Sequence, residues 1–186
     1  MSFYVTYNIA NIILLVGVLN LIIALYKRLD TEYNRTLFVT ACGVFVVTAA
    51  WYGIGLSKEL NEAIIYHKLI MIGSFLFLGG YVAYVCYLYK IKHGGYLMIP
   101  GFITLGGLFA HAGRNIPGDP FLANMRLESI KGVSILVGER GYMYFTHIFV
   151  IAAIGAWGGF FAFKDLLDKK DLRVYFFRHG QTDRPE

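Results

Sequence analysis

Stretches without a single Asp, Glu, Lys or Arg alternate with short polar ones along the whole chain. The charge-free runs cover residues 5–26, 36–57, 69–89, 94–112 and 141–163. At about 1.5 Å per residue, some 20 apolar residues in a helix cover the ~30 Å hydrocarbon layer of a bilayer. The pattern therefore predicts an all-α membrane protein, a bundle of five transmembrane helices. The first run has no basic leading region and no small-residue cleavage site, so it reads as a spanning helix and not as a removable signal peptide. The fourth is the weakest, being rich in glycine and containing Pro100, residues that a bundle tolerates where neighbouring helices satisfy the backbone.

The polar links differ in kind. Residues 27–35 and 90–93 are short and basic, and 58–68 carries balanced charge. The longest link, 113–140, begins with Pro117 and Pro120, and its second half has short apolar stretches around Gly132. That half predicts a small hairpin against the membrane face. Residues 164–186 form a charged tail, whose part from Asp165 to Asp171 is able to continue the fifth helix.

Composition agrees with this pattern: 57% of the residues are hydrophobic, only 16% are charged, and mean hydropathy is +0.56. A soluble domain carries roughly a quarter charged residues. The net charge of +5 does not point to nucleic acid, because the basic residues sit in the links, where they set orientation. One side of the membrane receives Lys27, Arg28, Arg35, Lys90, Lys92 and the six of the tail. The other receives Lys58, Lys68, Arg114, Arg126, Lys131 and Arg140. The richer side is expected to be cytoplasmic, which places the N-terminus and the 113–140 link outside and the tail in the cytoplasm. Cys42 and Cys86 fall inside predicted spans and read as small core residues.

No span contains an Asp, Glu, Lys or Arg, which argues against an ion-coupled transporter or a proton pump. The polar residues at depth are Asn11, Asn20, Thr48, Ser74 and Thr104; Asn11 and Asn20 are expected to face other helices. His67, His111 and His147 all fall near the outer ends of spans. Arg114 and Arg140 bracket the outer link, and together with Trp51, His111 and His147 they are the candidate lining of a ligand pocket at the outer face. Each also has a plainer reading as a rim residue that stops a helix. His111 and His147 are in addition the one credible pair of axial ligands for haem b, which requires two histidines from neighbouring helices at matching depth. Gly155 and Gly159 form a GxxxG pair, read first as packing within the chain and second as a homodimer seam.

Several pieces have a familiar order: Trp51-Tyr52-Gly53-Ile54-Gly55-Leu56, then Glu59 and Glu62, then Lys68-Leu69-Ile70-Met71-Ile72-Gly73. The third span closes on Tyr87-Leu88-Tyr89-Lys90, and Gly141-Tyr142-Met143-Tyr144 precedes the fifth. Over roughly residues 5–165 the chain resembles the N-terminal seven-helix sensor region of bacterial histidine kinases and of some diguanylate cyclases. The resemblance implies a receptor for a small ligand that acts on a cytoplasmic signalling domain or a partner protein. Members of that family have seven spans before a cytosolic output domain. With five spans, the chain is expected to be either a piece of such a receptor or a stand-alone relative.

Arg178-His179-Gly180-Gln181-Thr182 also resembles the phosphate-accepting motif of the histidine phosphatases. That chemistry needs a second histidine and further arginines from distant chain, so the match reads as chance and no enzyme is expected. The leading expectation is thus a sensory module in the bilayer with no cofactor. The alternatives are a haem b-binding anchor subunit of an electron-transfer complex, and a purely structural assembly subunit.

Overall fold

The computed structural model describes residues 3–114 and 116–179. Its elements in order are helices α1 (Phe3–Tyr26), α2 (Glu32–Leu56), α3 (Leu60–Leu88) and α4 (Met98–His111), strands β1 (Leu122–Ile130) and β2 (Val133–Arg140), and helix α5 (Tyr142–His179). Four helices are long and apolar enough to cross a membrane: α1, α2, α3 and the Tyr142–Lys164 part of α5. The chain is a membrane protein on that ground. Ile9, Ile12, Ile13, Leu14 and Val16 of α1 are all exposed, and no α1 residue is buried. Apolar surface on every side of a helix suits hydrocarbon and not water.

The fourth predicted span departs from expectation. Residues 94–112 contain a four-residue 3-10 turn, Gly94–Leu97, and then the 14-residue α4. Fourteen residues reach about 21 Å, short of a hydrocarbon layer. Pro100 explains the break. Lacking an N–H, it fits only the first turn of a helix, so α4 starts at Met98 and the chain before it tightens into 3-10 geometry. The third span is longer than expected, beginning at Leu60 and not at residue 69. Absence of charge marks the apolar belt, whereas helix continues through Glu62, His67 and Lys68, which are compatible with it.

The core is built on α2 and α3, which run antiparallel at very close range. A Cβ at Gly43 would collide with the backbone of Phe77 and Gly73, and one at Gly80 with Thr40. Gly53 lies against the ring of Tyr66. Without hydrophobic gain between helices in lipid, dispersion at such close approach is what holds them. Thr31 caps α2 by accepting from the Asn34 N–H at 3.2 Å, while the Asn34 and Arg35 side chains donate to the Arg28 and Leu29 carbonyls.

Helix α1 meets α2 at both ends: Tyr52 donates to Asn8 at 2.8 Å and Tyr7 to the Trp51 carbonyl at 3.2 Å at one, and Tyr26 packs on Phe38 at the other. Asn11 bonds the Tyr7 carbonyl of its own helix, and Asn20 is exposed. Exposed Asn20 does not face another helix as expected, and Asn8 supplies the polar bridge to α2.

The hairpin predicted in the 113–140 link is present, with Ile130 paired to Val133 across the tight turn Lys131-Gly132. Both turn residues have positive φ, 51° and 85°, the signature of a type I′ turn. The Ser134 hydroxyl donates to the Ser57 carbonyl at 2.6 Å, which ties β2 to the corner between α2 and α3. The described residues up to Ile151 form one compact unit, and α5 from Ala152 onward forms a second. In that second unit a Cβ at Gly155 or Gly159 would meet no atom within 4 Å. Of the Arg178–Thr182 stretch, Gly180, Gln181 and Thr182 lie outside the described residues.

Candidate functional site

One cavity of about 480 Å³ lies within the first unit, where the hairpin meets the helix ends. Trp51 and Ile54 come from α2, His67, Ile70, Met71 and Ser74 from α3, and Leu105 and Leu108 from α4. The hairpin supplies Leu122, Met125, residues 135–138 and Arg140, and the first turns of α5 supply Tyr144, His147 and Ile148. Spacing on α3 sets its length: His67 to Ser74 is two turns of helix, about 10 Å. Lys68 over the Phe109 ring and Phe75 against Phe102 show that α4 runs antiparallel beside this stretch.

The walls are mostly aliphatic, and the polar groups are few. Thr104 Oγ1 lies 2.9 Å from His147 Nδ1 and also 3.0 Å from the Pro100 carbonyl and 3.1 Å from that of Gly101. A hydroxyl has one hydrogen. With it given to a carbonyl of its own helix, Thr104 accepts from His147 Nδ1–H, and Nε2 remains an acceptor. The His67 Nε2 atom is buried and has no hydrogen-bond partner. An unsatisfied polar atom of this kind costs roughly 1–3 kcal/mol, so it marks a place for a partner. Arg140 is exposed, with its guanidinium 5.1 Å from the Tyr144 ring centre. Among the described residues no carboxylate lies within ion-pair distance of it, and no Asp or Glu lines the cavity.

Three of the five residues singled out from the sequence, Trp51, Arg140 and His147, line this cavity. His111 and Arg114 do not. His111 Nδ1 is 2.6 Å from Asp119 Oδ2, and its ring packs on Phe121 at 5.0 Å. The Asp119 side chain is 1% exposed and accepts from the N–H groups of Phe121 at 2.7 Å and Leu122 at 3.0 Å. The Phe121 ring fills the space that a Cβ on Gly107 would take. His111 therefore braces the start of β1, whose Leu122 and Met125 form cavity wall, and acts behind the cavity. Burial alone would raise the Asp119 carboxyl. The hydrogen bonds from His111, Phe121 and Leu122, with the His111 charge, together outweigh it and hold the group below its ordinary value.

His111 and His147 have separate partners, Asp119 and Thr104, the latter two helical turns before His111 on α4. Among the described residues no group of three or more His, Cys, Asp or Glu converges on a metal-sized site. His67, which the sequence grouped with His111 and His147 at the outer ends of spans but did not include in the pocket lining, also lines the cavity. Its signal was weak, a histidine one position before the lysine that opens an apolar run.

No protein-family model matches the chain, and no curated protein and no solved structure shows significant similarity to it.

Proposed function

We propose that the chain is a membrane-embedded sensory module of the bacterial inner membrane, which takes a small ligand at its outer face and relays occupancy through the last helix to a cytoplasmic output. The observation that carries this reading is the cavity, because it draws its walls from α2, α3, α4, the hairpin and the first turns of α5 at once. A ligand seated there contacts Tyr144, His147 and Ile148, and so bears on the helix that leads away from the site. A packed set of elements with more than one arrangement responds to a ligand by the difference in affinity between arrangements. The lack of any Asp, Glu, Lys or Arg within the charge-free runs supports a receptor over a transporter.

The test is a small-molecule screen on the purified protein, read by thermal unfolding and by tryptophan emission in a Trp157→Phe background, where Trp51 is the one remaining tryptophan. Ligands are expected to raise Tm and to change Trp51 emission saturably, and both effects are expected to weaken in His147→Ala. An absorption spectrum taken before and after dithionite is expected to show aromatic bands alone. A Soret band with reduced α and β bands would replace the sensory reading with a haem b anchor and make His111 and His147 the first residues to mutate.

A further inference from the structure

We infer that the occupant of this cavity is a single-chain amphiphile with an anionic head, its head at Arg140 and its chain running between α3 and α4. The inference rests on the sensory reading and names the ligand class.

Three observations carry it. The first is the cavity's profile along the bundle. Arg140, Tyr144 and His67 lie towards the polar end, where the charge-free belt of α3 has not yet begun. Deeper, the wall is Ile70, Met71 and Leu105, with His147, bonded to Thr104, and Ser74 as its uncharged polar groups. A site with its one charged group at the outer end and mainly aliphatic walls over roughly the next 10 Å suits an amphiphile. The second is charge. The lining holds one guanidinium and no carboxylate, which favours an anion over a cation. The buried Nε2 of His67 is a further polar atom in want of a partner, and a head oxygen satisfies it. The third is size. About 480 Å³ lies in the lower half of the range for drug-sized ligands, which is room for a single chain. The head chemistry has two sources, the carboxylate of a fatty acid and the phosphate of a lysophospholipid.

The test uses the full chain with Trp157→Phe in phosphatidylcholine nanodiscs, titrated with dibrominated stearate, whose bromines quench nearby tryptophan. Trp51 quenching is expected to saturate for the acid and to need about tenfold more of the uncharged methyl ester, the scale of one charge-assisted hydrogen bond. Arg140→Gln is expected to abolish that preference with ester binding intact, and Arg140→Lys to keep it. Ser74→Phe, which fills the deep end, is expected to remove saturable quenching by both while the protein retains a cooperative thermal transition. Competition by unbrominated stearate against lysophosphatidate then names the head, the stronger competitor being the natural type. Linear quenching that is equal for acid and ester overturns the inference, as does a preference for acid that survives Arg140→Gln. If the amphiphile fails while a water-soluble compound changes Trp51 emission saturably, the ligand class falls and the sensory reading stands. If nothing of either kind acts on Trp51, both fall.

Discussion

Asp119 holds three groups at once: the His111 ring and the N–H groups of Phe121 and Leu122. Each would be left short of a partner if the carboxylate were removed, at a cost of roughly 1–3 kcal/mol for a buried one. Asp119→Ala is therefore expected to lower Tm clearly, and Asp119→Asn by less, as measured by thermal unfolding in detergent. The pH dependence follows from the direction of its shift. Because the folded-state pKa is depressed, the contribution is complete above the unfolded value of about 4 and is lost as pH falls through the lower folded value. Wild-type Tm is expected to drop on acidification through that window, with a smaller drop in Asp119→Asn; equal drops would remove Asp119 from the account. Nothing local in the sequence announced this residue. Asp119 follows Gly118 and precedes Pro120, which reads only as a turn, and its partner His111 reads as a rim residue. Trp51, Arg140 and His147 were legible as site candidates because each lies where an apolar run meets a polar link. His67 lies at such a boundary too, but among charged neighbours it looked like part of the loop.

At the scale of elements, the helical glycines sort into two kinds. Gly43 lies where a Cβ would meet the backbone of α3, which cannot be moved as a side chain can, whereas a Cβ on Gly17 of α1 would meet nothing within 4 Å. Gly43→Leu is expected to force α2 and α3 apart and to destabilise by roughly 1–3 kcal/mol, as overpacking does. Gly17→Ala is expected to be neutral or to stabilise by up to about 1 kcal/mol through helix propensity. Thermal unfolding of the pair in one detergent tests both, and equal effects would contradict the packing described. The I′ turn makes a similar demand: Gly132, at φ 85°, is the residue that supplies the turn without strain. Gly132→Val is expected to loosen the hairpin, seen as faster amide exchange over β1 and β2. The extents of α1 and α2 were legible because apolar run and helix nearly coincide there. The extents of α3 and α4 were not, since charge content is blind both to a helix that continues through polar residues and to the break that Pro100 imposes.

For the whole molecule, the start of α1, the end of α2, the start of α3 and the hairpin gather at one end, as the Tyr7, Tyr52 and Ser134 hydrogen bonds record. The distribution of Lys and Arg is the ground for proposing that this end is the outer one. A cysteine at Lys131, on the hairpin tip, is expected to react with a membrane-impermeant maleimide in intact cells, and one at Lys92 only after permeabilisation; the reverse pattern would invert the proposed direction of signalling. A membrane protein with a hairpin before its last helix was legible throughout, because hydropathy and turn residues report both directly. The cavity was legible only through Trp51, Arg140 and His147, since its shape is a property of five elements meeting and no single stretch encodes it. Its occupancy is the central claim, and native mass spectrometry of the protein released from its own membranes tests that claim most directly. A retained small molecule on the wild-type chain, lost in Ser74→Phe, is the expected result. A bare wild-type mass, or the same adduct retained in both proteins, would contradict it.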